Sequence, residues 1–99
     1  MEKRNLIWTA TARNQLEEVY KYVAQDSIIQ ADKLFDKIMV SVFDILKQPE
    51  RYAPDKFKKD NKGNYRAFEI YRYRIAYRIS KDSIYIVRIR STDQNPRLY

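Results

Sequence analysis

The chain has 99 residues, 44% hydrophobic and 33% charged, with one Gly and three Pro, which predicts one folded domain with a single modest core. It has no Cys and no His, which excludes disulfides, thiolate chemistry and histidine-based catalysis, and we expect neither a metal site nor a cofactor. No apolar run approaches the length of a membrane span and no signal sequence is evident, so we expect a cytoplasmic protein without a membrane partner.

The first half of the chain predicts a strand and a helical hairpin. Residues 4–9 are apolar and β-prone, and Thr9 or Thr11 then caps an amphipathic helix of about four turns at 3.6 residues per turn. Residues 25–27 break that helix and cap a second, longer one, which Pro49 ends because proline cannot donate the helical hydrogen bond.

The second half predicts a loop and three strands. Residues 49–64, with the lysine run 56–62, are expected to form a mobile loop. Strands follow at about 65–71, 73–80 and 83–90, although no Gly or Pro marks the first turn between them. The order β-α-α-β-β-β predicts an α+β fold, in which the helical hairpin packs on one face of a twisted, mainly antiparallel sheet.

Positive charge is concentrated in the second half of the chain. Residues 1–49 hold seven Lys/Arg and seven Asp/Glu, whereas residues 50–99 hold thirteen and six, so the net charge of +7 belongs to the later segment. From Tyr73 to Ile79, Tyr and Ile alternate with Arg or Ala, which predicts an apolar face on the helices and a cationic face left uncovered.

Arginines on an exposed face can simply be solvated. Like charges on neighbouring strands repel, however, and only Glu69 and Asp93 lie near enough in sequence to neutralise them, so the set indicates an anionic partner. The predicted binding residues are Arg66, Arg72, Arg74, Arg78, Arg88, Arg90 and Arg97. Tyr99 is either a frayed end or a segment that folds back across the cationic face, and the lysine run is either solvated or in contact with phosphate.

Several segments, in this order, resemble the RelE/ParE toxin family of type II toxin–antitoxin systems. Ile7-Trp8-Thr9 precedes the first helix, the second helix ends at Gln48-Pro49, and Gly63-Asn64-Tyr65-Arg66 opens the sheet. The YRIAYRI run at 73–79 and the IVRIR run at 86–90 complete the pattern over nearly the whole chain. The resemblance implies the same β-α-α-β-β-β fold.

The resemblance also implies that residues 1–99 are one toxin domain, which arrests growth unless a cognate antitoxin binds it in a hetero-oligomer. Antitoxins of this family have an extended, often acidic C-terminal segment that wraps the toxin. Such a segment would supply the missing negative charge as it becomes ordered on the cationic face. No small-molecule cofactor is implied.

The two branches of the family imply different targets. RelE-like members cut mRNA on the ribosome without a metal, and their lysines, arginine and C-terminal tyrosine carry over to Lys56, Lys58, Lys59, Arg66 and Tyr99. Glu69 and Asp93 stand where that branch has arginines, and Ser91 stands where many relatives have a histidine. A carboxylate at either arginine position would repel the charge that develops on the phosphate.

ParE-like members poison DNA gyrase, and Arg66, Arg74 and Arg78 are typical of them. We therefore expect a ParE-like toxin. A RelE-like endoribonuclease is the alternative, and a non-toxic, basic nucleic-acid-binding module is the second alternative.

Overall fold

The computed structural model describes residues 4–95 and 97–99. The predicted order of elements and the α+β fold class are confirmed. The elements are β1 (Asn5–Trp8), α1 (Ala10–Ala24), α2 (Ile28–Lys47), β2 (Tyr65–Ile70), β3 (Tyr73–Ile79) and β4 (Ser83–Ser91).

Both helices begin at a side-chain cap. The hydroxyl of Thr9, the first of the two predicted candidates, accepts from the N–H of Ala12 at 3.1 Å, and the hydroxyl of Ser27 accepts from the N–H of Gln30 at the same distance. These bonds satisfy helix N–H groups that have no partner within the helix. No helix in the described part of the chain is long and apolar enough to cross a membrane.

The four strands form one mixed sheet in the order β1-β4-β3-β2. β1 runs parallel to β4, and the other two pairs are antiparallel, with a bulge in the β3–β4 ladder between Ala76 and Tyr77. The helices cover one face of this sheet. On that face Ile75 and Tyr77 of β3 are fully buried, as the alternation along β3 predicts, and so is Ile84 of β4. The sheet is therefore mainly antiparallel, as expected.

The turn between β2 and β3 is made without glycine. Tyr71 and Arg72 connect paired Ile70 and Tyr73, and Tyr71 adopts a φ of 53°. A positive φ is costly for a residue with a Cβ, and glycine or asparagine is the usual choice at such a position, so the tyrosine gives no sequence signal of the turn. The backbone N–H of Thr92 donates to the carbonyl of Arg72 at 2.7 Å and fastens the turn to the segment after β4.

The segment predicted as a mobile loop is instead tied to β2. Pro54 forms a bridge with Arg66, and the N–H of Asp55 donates to the carbonyl of Tyr65 at 2.8 Å. The side chain of Asn61 donates to that same carbonyl at 2.8 Å and accepts from the N–H of Gly63 at 2.9 Å. The segment thus lines the free edge of β2 and then crosses to the face of the sheet opposite the helices.

Candidate functional site: the outer face of the sheet

The face of the sheet that the helices do not cover, which we call the outer face, consists of three rows of cross-strand neighbours. In order from β2 through β3 to β4, the rows are Glu69-Arg74-Arg90, Ala67-Ala76-Arg88 and Tyr65-Arg78-Tyr85. The fold therefore brings together four of the seven predicted binding arginines, which lie on two adjacent strands.

Arg74 is not available to a partner as the sequence suggests. Its Nη2 lies 2.9 Å from Oδ1 of Asp55, and its Nη1 lies 3.0 Å from Oε2 of Glu69. The guanidinium also lies 4.9 Å from the ring of Phe57, and the side chain is only 17% exposed. Its Nε is buried without a hydrogen-bond partner among the described residues. Arg74 is therefore already neutralised within the chain.

Asp55 lies at the centre of the arrangement and is 2% exposed. Besides Arg74, it accepts hydrogen bonds from the hydroxyl of Tyr99 at 2.6 Å and from the N–H of Phe57 at 3.1 Å. Burial alone would raise the pKa of this carboxyl group. The hydrogen bonds from Tyr99, Phe57 and Arg74, together with the Arg74 charge, outweigh burial and hold the pKa below its usual value.

Tyr99 folds back across the outer face, which is one of the two alternatives that the sequence left open. Its N–H donates to the carbonyl of Phe57 at 3.0 Å, and its carbonyl accepts from the N–H of Lys59 at 2.7 Å. The guanidinium of Arg88 lies 3.8 Å from the Tyr99 ring, and Tyr65 meets that ring edge-on. Burial, and then the neighbouring Asp55, raise the pKa of the Tyr99 hydroxyl.

The expectation of an uncovered cationic face is therefore wrong for its middle. The segments 55–59 and 97–99 of the chain itself lie over it, and Ala76 in the central row is only 1% exposed.

Arg66 does not belong to the outer face. It pairs with Tyr77 in the sheet register and so points to the side that the helices cover. Its Nη1 donates to the carbonyl of Tyr52 at 2.8 Å and its Nε to that of Gly63 at 3.1 Å. The side chain therefore holds together the polypeptide on either side of the lysine run, which is a structural role that its position in the sequence does not reveal.

Two further predicted arginines lie at the margins. Arg72, in the β2–β3 turn, forms an exposed ion pair with Asp93 at 3.3 Å. Arg97 is exposed, and its carbonyl accepts from Nη2 of Arg88 at 2.8 Å. Neither one adds a charge to the middle of the outer face.

Three outer-face arginines form no ion pair with a carboxylate among the described residues. The guanidinium of Arg78 lies 4.2 Å from the ring of Tyr85, and that of Arg88 lies over Tyr99. Arg90 makes one long contact, 3.4 Å, with the side-chain amide of Gln94. We call Arg78, Arg88 and Arg90 the unpaired arginines; they are the part of the predicted cationic face that remains for a partner.

The candidate ribonuclease residues are only partly brought together. Nζ of Lys58 lies 4.7 Å from the ring of Tyr65 and 5.5 Å from that of Tyr99, and Lys59 contacts Tyr99 through its backbone. Lys56 lies over Phe57 instead, and Arg66 is on the other side of the sheet. No group of three or more acidic side chains in residues 4–95 and 97–99 is placed to hold a metal ion.

Asp55 is the site residue that the sequence analysis missed. Its signal is local: Pro54-Asp55 is a turn-forming pair, and an aspartate there often accepts from the N–H two residues later, as Asp55 does from Phe57. That pattern predicts a turn at the surface. The burial of the carboxylate follows from Arg74 and Tyr99, which lie 19 and 44 residues away.

Comparison with known proteins places the chain in a family. Residues 6–96 match the sequence family described as ParE toxin of type II toxin–antitoxin system, parDE. A solved structure of the chromosomal ParDE toxin–antitoxin system from P. aeruginosa superimposes with a TM-score of 0.70 at 22% identity, covering 90% of this chain and 96% of that one. No functionally curated protein matches the sequence significantly. The chain therefore belongs to the ParE toxin family of type II toxin–antitoxin systems.

Proposed function

We propose that this protein arrests growth by binding DNA gyrase, that it does not cleave RNA, and that a cognate antitoxin neutralises it. The observation that carries the proposal is the buried carboxylate of Asp55 at the centre of the outer face. It accepts hydrogen bonds from the Tyr99 hydroxyl and the Arg74 guanidinium.

This arrangement is unsuited to RNA cleavage. A general base for the attacking 2′-hydroxyl works best with a pKa near the operating pH, but the pKa of Tyr99 is raised and that of Asp55 is lowered. Asp55 and Glu69 are two carboxylates that share the single charge of Arg74, and this excess of negative charge would also repel the phosphate as charge develops on it. Arg74, which would have opposed that charge, is already paired with two carboxylates.

The remaining surface suits a protein partner. Arginine and tyrosine are among the residue types over-represented at energetically important contacts in protein interfaces, and Arg78 and Arg88 lie over the rings of Tyr85 and Tyr99. The similar P. aeruginosa structure is of a ParDE toxin–antitoxin system, which supports an antitoxin as the neutralising partner. Gyrase as target rests on membership of the ParE family.

The test is induction of the gene in a bacterium, followed by a supercoiling assay with purified gyrase and the purified toxin. We expect growth arrest, a DNA-damage response, inhibited supercoiling and intact ribosome-bound mRNA. Because Arg78 has no carboxylate partner, Arg78→Glu should weaken inhibition at least tenfold without unfolding the protein. The matched control is Arg13→Glu on the exposed surface of α1, which should inhibit as the wild type does.

Growth arrest with unchanged supercoiling and cleaved mRNA would overturn the proposal in favour of the ribonuclease. Unimpaired growth at a verified level of folded protein would overturn both and leave a basic binding module. Arg74 is unsuitable for this test, because its reversal would unpair the buried Asp55 and unfold the protein.

A further inference from the structure

Helix α2 is apolar on the side that faces away from the sheet as well as on the side that faces it. The inner side supplies five buried residues of the core. Five of the nine exposed large hydrophobic side chains in the described residues also belong to this one helix, and they are Ile28, Ile29, Phe35, Val40 and Phe43. A helix that is apolar on more than one side is normally covered on more than one side. The outer side of α2 is therefore a candidate interface.

The exposed side of α2 has the spacing of a coiled coil. Six exposed residues recur at alternating intervals of four and three positions, and they are Ile29, Lys33, Asp36, Val40, Phe43 and Lys47. A seven-residue repeat of this kind places its members in one row along the helix, where a second helix can pack against them. We call this row the α2 stripe.

The charge of α2 permits a second copy of the same chain to approach. The helix has three Asp and three Lys, so it is neutral although the whole chain has a net charge of +7. The unpaired arginines lie on the other side of the sheet, which keeps the main positive charge of two copies apart. Asp36 and Lys47 of the stripe form no ion pair within the described residues, and their charges are opposite.

One antiparallel register makes the stripe complementary to itself. When Val40 meets Phe43 of a second copy, Asp36 lies opposite Lys47 of that copy, because both pairs are centred on the same point of the helix. Beside the stripe, Lys37 then lies near Asp44 of the second copy. Two-fold symmetry makes every contact occur twice. The result is an apolar centre with pairs of opposite charge around it.

The other arrangements are less favourable. A parallel pair would set Asp36 against Asp36 and Lys47 against Lys47. Shifting the antiparallel pair by seven positions sets Val40 against Asp36 and Phe43 against Lys33, and a second such shift leaves Phe43 outside the contact. Only the first register buries both exposed apolar residues of the central stripe against each other.

From these features we infer that two copies of this chain form a two-fold symmetric dimer, in which residues 36–47 of α2 pack antiparallel against the same residues of the second copy. The inference does not depend on the proposed function. The helix lies between this surface and the sheet, so both outer faces stay accessible in the dimer. Three helical turns bury less than the about 1,600 Å² of a standard interface, so we expect a weak dimer with a Kd of about 50 μM.

The first test is sedimentation velocity of the purified toxin over a range of concentrations. We expect a monomer well below the Kd and a dimer well above it. Phe43→Ala should raise the Kd at least tenfold, because it removes the apolar centre of the contact. Ile29→Ala is the matched control, since Ile29 is exposed to a similar extent on the same stripe but lies outside the dimer register, and it should leave the Kd unchanged.

Charge reversal tests the register. Asp36→Lys alone and Lys47→Glu alone should each raise the Kd at least tenfold, because each sets like charges against each other. The double variant should restore the dimer, because it exchanges the two charges of each pair. Lys33→Glu changes the net charge as Lys47→Glu does, but outside the contact, and it should have no effect. A double variant that dimerises no better than the single variants would overturn the register.

Cysteine cross-linking gives an independent readout, because the chain has no cysteine of its own. Asp36→Cys and Lys47→Cys proteins are mixed and treated with oxidised glutathione. We expect the mixed disulfide to exceed both symmetric ones, because two copies of the same position lie roughly 16 Å apart along the antiparallel pair, beyond the reach of a disulfide. Symmetric disulfides in excess would overturn the proposed packing.

A different occupant of the stripe would also be detected. A wild-type toxin that stays monomeric up to about 500 μM, ten times the expected Kd, would overturn the inference. If amide exchange at Val40 and Phe43 then slowed only in the toxin co-expressed with its antitoxin, the antitoxin would be the partner that covers α2. Growth arrest and gyrase inhibition are measured separately, so failure of the dimer leaves the proposed function standing.

Discussion

The hydroxyl of Tyr99 donates a 2.6 Å hydrogen bond to Oδ2 of Asp55, 44 residues earlier in the chain. The other carboxylate oxygen accepts from Arg74 at 2.9 Å, so one buried acidic group joins the segment after α2, the middle of the sheet and the last described residues. The stability of the outer face should therefore depend on Asp55 more than on any of the lysines around it.

Asp55→Asn should destabilise the protein strongly. Arg74 then keeps only the half-exposed Glu69 as an ionic partner, and the Tyr99 hydroxyl loses its ionised acceptor, so we expect a loss of about 3 kcal/mol in the free energy of unfolding. Urea denaturation measures this loss. Asp60→Asn, at an exposed loop residue with a φ of 52° that asparagine tolerates, is the matched control and should change stability by less than about 0.5 kcal/mol. Equal midpoints for the two variants would contradict the buried pair.

Stability should fall in acid because of this same group. The folded-state pKa of Asp55 lies below its unfolded value, so the folded protein favours the ionised form. That contribution is complete above the unfolded pKa of about 4 and is lost as the pH falls through the folded value. Denaturation midpoints measured from pH 7 to pH 3 should decline less steeply in Asp55→Asn than in the wild type. Parallel declines would show that Asp55 is not the group responsible.

Tyr99→Phe should distinguish the contribution of the Tyr99 hydroxyl to stability from that of its ring. The ring contact with Arg88 is kept, whereas the hydrogen bond to an ionised carboxylate is lost, at a cost of about 2 kcal/mol. Tyr71→Phe is the control, because Tyr71 is 69% exposed and its hydroxyl should matter little. Thermal or urea unfolding compares them, and an unchanged Tyr99→Phe protein would argue that the tail does not hold Asp55 in solution.

Tyr71→Gly should stabilise the protein by about 1 kcal/mol. Tyr71 holds a φ of 53°, which glycine adopts without steric cost, and only an exposed contact between Lys37 and the ring is lost. Arg72→Gly is the control, since Arg72 does not have a positive φ and should gain nothing from glycine. A fall in the unfolding midpoint of Tyr71→Gly would mean that the ring contact outweighs the backbone strain.

Much of the fold was predictable because it depends on local patterns. Helix caps at Thr9 and Ser27 and the alternation through Ile75 and Tyr77 follow from hydrogen-bonding capacity and side-chain period, which any short window of sequence displays. The turn at Tyr71, between β2 and β3, was the feature of the fold that the sequence indicated least clearly. Its conformation is imposed by the pairing of Ile70 with Tyr73 rather than by a turn-forming residue.

The site was less predictable because it depends on pairs that are distant in sequence. Sequence alone established the charge asymmetry, the strand that carries Arg74 and Arg78, and the family. Only the tertiary structure shows that Arg74 forms an ion pair with Asp55, that Arg66 lies on the helix side of the sheet, and that Tyr99 covers Arg88. A side-chain pattern determines which way a residue points. Whether its charge is already neutralised depends on which distant residues the fold places beside it, and this cannot be read from composition or from a local pattern.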